Sequence, residues 1–218
     1  MPVSRENVLK ALKQMREVGE KRKFAQSVDL MISLKDVDLK KTESRISEEV
    51  VLPHGVGKPR KVAMFAEGEL ARKARDAGVD LILGRGDIDG LQKDRKRAKQ
   101  VADGYDSFIA QADMMPSIGK QLGPVLGPRA KVPKPVTPTA DPKPIIERSR
   151  KIVRIRTREQ PTLHVLVGAE SMTDEQLAEN IRAVLDVIEH KLERGFHQVG
   201  SLHIKTTMGK SVKIEVQP

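Results

Sequence analysis

Ser201-Leu202-His203-Ile204-Lys205-Thr206-Thr207-Met208-Gly209-Lys210-Ser211-Val212 alternates polar and apolar residues, breaks at a polar turn, and resumes alternating through Val212, Ile214 and Val216. A period of two sets one side of a strand on a core and the other outward, so the segment predicts a hairpin. Ser201, His203, Lys205 and Thr207 fall on the outward side. Gly209 lets the backbone turn sharply or approach a ligand closely, because it has no Cβ. A strand face of hydroxyls and amines ending in a glycine turn suits phosphate and 2′-hydroxyl groups. An ordinary solvated hairpin fits the same composition. A nucleotide-binding P-loop does not: Ile204 stands where it needs a glycine, and strand alternation follows the turn instead of a helix.

Upstream of this hairpin, Thr173 and Gln176 form a capping box. Leu177, Ile181, Val184, Leu185, Ile188 and Leu192 then trace one apolar stripe, which predicts a long amphipathic helix. His197 and Gly200 are placed in the loop that leads from it. Two strands are predicted before the helix, Ile152–Thr157 and Thr162–Gly168. The start of the chain has the same rhythm. Ser4 caps a helix with Val8, Leu9, Leu12, Met15 and Val18 on one face, and Val28, Leu30, Ile32 and Leu34 alternate along a strand. Phe24, beside Lys21, Arg22 and Lys23, is a core anchor or a residue stacking on a partner, and lone aromatics favour the core.

The middle reads differently. Lys61–Ala66, Val79–Gly84 and Ser107–Ala112 are short apolar runs separated by helical segments, the pattern of βαβ units with parallel strands. Lys93–Lys99 is a basic helix or a solvated charge run. From Leu122 onward prolines recur at Pro124, Pro128, Pro133, Pro135, Pro138, Pro142 and Pro144, which predicts a basic, extended linker or contact arm. The fold class is therefore an α+β split domain formed by both ends, residues 1–58 and 153–218, with an inserted α/β domain at 59–152. The loop Pro53-His54-Gly55-Val56-Gly57-Lys58-Pro59 marks the first crossing as a hinge.

Composition bounds the function. The 218 residues contain no cysteine, which excludes disulfides and thiol-bound metals. No apolar run has bilayer-spanning length and Met1-Pro2-Val3-Ser4 opens no signal peptide, so a soluble intracellular protein is the default. The net charge of +10 favours a polyanionic partner, nucleic acid ahead of membrane. Residues 59–152 carry 19 Lys and Arg against 12 Asp and Glu, and the remainder 21 against 18, so most of the excess lies in the insertion. Aromatics are only 2%, which disfavours base-stacking platforms and points to folded RNA read through its backbone. The rival class, an enzyme acting on a phosphorylated ligand through the α/β insertion, lacks a catalytic or metal-ligating spacing. His54 and His164 are read as packing or hydrogen-bonding residues.

Lys23-Phe24, Leu52-Pro53-His54-Gly55-Val56-Gly57-Lys58, Leu126-Gly127-Pro128-Arg129, His164 with Val167-Gly168, Asn180-Ile181-Arg182 and Thr206-Thr207-Met208-Gly209 occur in order along nearly the whole chain. Together they resemble the ribosomal protein L-one family, in its archaeal form. The resemblance implies a split α+β domain with an inserted βαβ domain, and binding of structured large-subunit ribosomal RNA, chiefly by the split domain. It also implies a place in the mobile stalk, assistance in releasing deacylated transfer RNA from the exit site, and repression of the protein's own messenger RNA. By motif position, RNA contact is carried over to Lys23, Phe24, His164, Ser201, Lys205, Thr207, Met208 and Gly209. No cofactor, metal or membrane is implied, and the expected form is a cytoplasmic protein that is monomeric off the ribosome. One departure stands out: Ala130 occupies a position where the family usually has glycine, which would strain the loop if a positive φ is needed there.

Overall fold

The computed structural model describes residues 3–20, 22–37, 45–157 and 159–216. Lys21 and residues 38–44 of the polar stretch after the first strand lie outside them. The chain opens with α1 (Arg5–Val18), β1 (Ser27–Leu34) and β2 (Ser47–Val51). Its middle runs β3 (Val62–Phe65), α2 (Gly68–Asp76), β4 (Leu81–Leu83), α3 (Arg85–Lys93), α4 (Arg95–Gly104) and β5 (Ser107–Gln111). It continues with α5 (Met115–Gln121), α6 (Gly123–Leu126), β6 (Lys134–Val136) and α7 (Pro142–Lys151). The last third holds β7 (Ile152–Arg156), β8 (Thr162–Ala169), α8 (Asp174–Lys191), β9 (Val199–Thr206) and β10 (Val212–Ile214). Two compact units result, one of residues 1–58 with 151–218 and one of 59–150.

In the first unit an antiparallel sheet has the order β10-β9-β1-β8, and β2 pairs with β7 in a separate ribbon. Val28, Leu30, Ile32, Leu163, Val165, Leu202, Ile204 and Ile214 turn inward and are almost wholly buried. They join Leu12 and Met15 of α1 and Leu177, Ile181, Val184 and Ile188 of α8 in one core. Burying each such side chain contributes about 1.5–3 kcal/mol, so strand alternation and helix stripe lock to one another. Both helices begin on the caps read from sequence: the Ser4 hydroxyl accepts from Asn7 N–H, and Thr173 and Gln176 bond reciprocally. Gly200 belongs to β9, not to the loop before it, because Val199 already pairs with Leu34.

The second unit is a parallel sheet of order β4-β3-β5-β6. All four residues of β3 are buried, as a parallel strand covered on both faces requires. Phe65 and Phe108 stack with ring centroids 6.1 Å apart in the core on one face, and Met64, Leu70, Ile109 and Ile146 fill the other. The proline-rich stretch is not the linker or arm that its composition predicted. It holds α6 and then β6, whose residues Lys134, Pro135 and Val136 pair with Ile109, Ala110 and Gln111. β6 closes the sheet as an edge strand, where a proline sacrifices least of the ladder. Ala130 does adopt a left-handed backbone, with φ of 55°.

Candidate nucleic-acid interface

The first unit's sheet buries every second residue, so its other face is polar by construction. Register aligns that face into rows. Lys213, His203, Met31 and His164 lie opposite one another across all four strands. On one side of them Ser201, Ser33 and Thr162 form a row, and on the other Lys205, Asp29 and Leu166. Directly paired side chains stand about 5 Å apart, so these residues form one continuous surface. His164 and Lys213 are exposed, and Ser201, His203, Lys205, Asp29 and Met31 are partly so. Burial pushes the Asp29 carboxyl above its usual range, opposed by the positive charges of Lys205, His164 and Lys58.

The turn after β9 borders this face. Thr207 N–H donates to Ser27 C=O at 3.0 Å, and Ser27 N–H donates to the Thr207 hydroxyl at 3.0 Å, extending the β1–β9 ladder past its last strand residue. Thr207 is thus a brace as well as an exposed hydroxyl. Met208 N–H donates to Gln26 Oε1 at 3.1 Å, while the Met208 side chain is 63% exposed. Gly209 has a different constraint from the one its motif suggested. A Cβ there would collide with Thr206 Oγ1, so the glycine first accommodates its own turn. The Thr206 hydroxyl is buried and makes no hydrogen bond within the described residues.

Lys23 and Phe24 lie exposed in the segment between α1 and β1, and Phe24 is 51% exposed, against the core placement that frequency favoured. The interior position nearby is taken by Gln26. Its side chain donates to Glu20 C=O at 3.2 Å and accepts from Met208 N–H, and its C=O accepts from Glu170 N–H. One buried amide thus fixes the Phe24 segment against the turn. Lys58 joins from the Pro-His-Gly loop, its Nζ donating to Ser27 Oγ at 2.9 Å. That loop is held by buried Asn180 of α8, which accepts from His54 N–H and donates to the C=O of Gly55 and Val167. Gly57 has φ of 70°, and a Cβ there would lie 2.8 Å from Met172 Sδ. His54 Nε2 meets Glu179 at 2.6 Å, a bond that holds the Glu179 carboxyl below its usual range.

The structure therefore gathers Ser201, Lys205 and His164 on one sheet face, and Thr207, Met208 and Gly209 at its edge. Among the described residues, Gln26 ties the segment that carries Lys23 and Phe24 to this turn. Asp29, Met31, His203, Lys213 and Lys58 belong to the same surface. Their alternation was legible within each strand, but the pairing that brings them together was not. Lysines suit phosphates, hydroxyls and a carboxylate suit 2′-hydroxyls or base amines, exposed Phe24 offers a flat apolar face, and Met208 a flexible one. Among the described residues no cluster of three or more His, Asp or Glu could hold a metal, and no helix is long and apolar enough to cross a membrane.

Residues 12–210 match the family pattern of ribosomal protein L1p/L10e. The chain belongs to the ribosomal protein L1p/L10e family. It is 48% identical over 209 residues to the large ribosomal subunit protein uL1 of Methanothermobacter thermautotrophicus, covering 96% of this chain and 99% of that protein. It is 46% identical over 214 residues to the uL1 protein of Archaeoglobus fulgidus, covering 98% and 100%. The corresponding protein of Methanothermococcus thermolithotrophicus is 49% identical over 213 residues, again covering 98% and 100%. These relatives are named as ribosomal proteins, not enzymes, and the enzyme reading of the L1p/L10e chain's α/β unit is set aside. An antiparallel sheet with helices and a separate parallel sheet give this family member the two-part fold that the sequence predicted.

Proposed function

We propose that this L1p/L10e family member is a structural constituent of the large ribosomal subunit that holds folded ribosomal RNA on the polar sheet face of its first unit. The observation that carries this reading is the continuity of Ser201, Lys205 and His164 with the Thr207–Gly209 turn on one partly exposed surface. By family likeness we extend the proposal to the mobile stalk, to release of deacylated transfer RNA from the exit site, and to repression of the protein's own messenger RNA. A messenger segment folded like the ribosomal site would be gripped by the same groups. The chain then acts as a cytoplasmic monomer until it joins the ribosome.

Filter binding at matched salt tests the proposal, with folded large-subunit RNA against a single strand of equal length. The full chain should prefer the folded RNA by at least about tenfold, and Lys205→Ala with Ser201→Ala should remove about 2–4 kcal/mol of that affinity through lost charge-assisted and neutral hydrogen bonds. Equal affinity for both RNAs, or no effect of the double substitution, would overturn it.

A further inference from the structure

The second unit carries a charged surface that this sheet-face contact does not use. Lys93, Arg95, Lys96, Arg97 and Lys99, five cations within seven residues, are all exposed where α3 passes into α4. The acids nearby have their hydrogen bonds elsewhere, although the charge of Lys99 also reaches Asp103 across one turn of α4. Asp94 accepts from the backbone N–H of Lys96 and Arg97, Asp103 grips Arg129 with both oxygens, and Asp89 accepts from Gln121. Local stability does not account for the arrangement. Three cations occupy the first turn of α4 and Asp103 lies near its end, the reverse of what the helix dipole favours. Arg95 and Lys99 repel across one helical turn. Only two alanines, Ala98 and Ala102, are fully buried beneath α4.

We infer that the α3–α4 cation cluster is a second, sequence-independent docking surface for an RNA phosphate backbone. Chemistry selects this partner over others. Of the large apolar side chains that stand exposed, only Val132 belongs to the second unit, and it is not in the cluster. A protein interface would need a buried apolar centre, and a membrane surface would need side chains to insert. Point charges spaced along a helix meet phosphates without reading bases. The inference does not depend on the sheet-face reading.

The test uses the full chain with Lys93, Arg95, Lys96, Arg97 and Lys99 all changed to Gln, a residue of similar helix propensity. A control changes five exposed cations elsewhere on the second unit, Arg72, Arg75, Lys120, Lys143 and Arg148, to Gln. Both are titrated with an unrelated RNA duplex and with folded large-subunit RNA over a range of salt. The cluster variant should bind the duplex at least about tenfold more weakly at 0.1 M salt, with a log–log salt slope shallower by about 3–4, since each phosphate contact contributes about 0.9. A loss seen on the folded ribosomal RNA but not on the duplex would overturn sequence independence, the core of the inference. Unchanged affinity and slope on both RNAs, or an equal loss in the control, would overturn the inference. The cluster variant should also melt no lower than the parent, because repulsion within α4 is relieved.

Discussion

Asp29 places a carboxylate among the lysines and histidines of the sheet face, and burial raises its pKa despite them. The folded chain therefore keeps this proton to higher pH than the unfolded chain does. The ionised group opposes folding, and stability falls as pH rises from the ordinary carboxylate range through the raised folded value. Asp29→Asn should gain stability relative to the parent between pH 3.5 and pH 7 while losing RNA affinity; urea melts at the two pH values would show a shrinking advantage if the sign is wrong. At the neighbouring turn, Gly209→Ala drives a methyl into Thr206 and should cost about 1–3 kcal/mol in folding. Adding Thr206→Ala should restore part of that loss in the same denaturation assay. A fully stable Gly209→Ala chain with weakened RNA binding would instead assign the glycine to the partner alone. Ala130, strained at positive φ, should become more stable by up to about 1 kcal/mol as Gly, read as a rise in melting temperature.

Elements were more legible than the contacts between them. The caps at Ser4 and Thr173 and the stripe from Leu177 to Leu192 announce their helices because capping and periodicity are local chemistry. The proline-rich stretch misled because proline counts against a strand interior, and a sequence does not state that β6 will lie at an edge. Phe24 and Gln26 illustrate the same limit. Hydrophobicity favours burying the aromatic, but the site needs one donor for Glu20 C=O and one acceptor for Met208 N–H, and a side-chain amide supplies both. Asn180 plays the equivalent part in α8, on a helix face otherwise filled by apolar residues. Asn180→Ala would strand His54 N–H and the carbonyls of Gly55 and Val167, and should cost about 2–4 kcal/mol in urea unfolding. Asn180→Asp should be at least as damaging, since it presents oxygen to two carbonyl oxygens.

For the whole chain, the division of labour proposed here is that shape recognition resides in the first unit and sequence-independent attraction in the second. Residues 1–58 joined to 151–218 should accordingly retain the preference for folded ribosomal RNA. If Lys23, Lys58, Lys205 and Lys213 each meet one phosphate, the salt slope of that fragment should be near −3.6, or about a hundredfold loss over a fourfold rise in salt; a gel shift showing no preference would refute the division. The two-part architecture was visible as a change in rhythm from alternating strands to short buried runs. The register of the first sheet was not, because β1 pairs only with strands more than a hundred residues later. That topology imposes an order on synthesis. At roughly 5–20 residues per second, β1 leaves the peptidyl-transfer centre several seconds to nearly half a minute before either neighbour has been translated. During that interval the middle of the polypeptide already has every strand of its own sheet. A nascent copy therefore has no finished sheet face until translation is nearly complete, so on the proposed reading an interrupted chain would lack the surface needed to compete with intact copies for RNA.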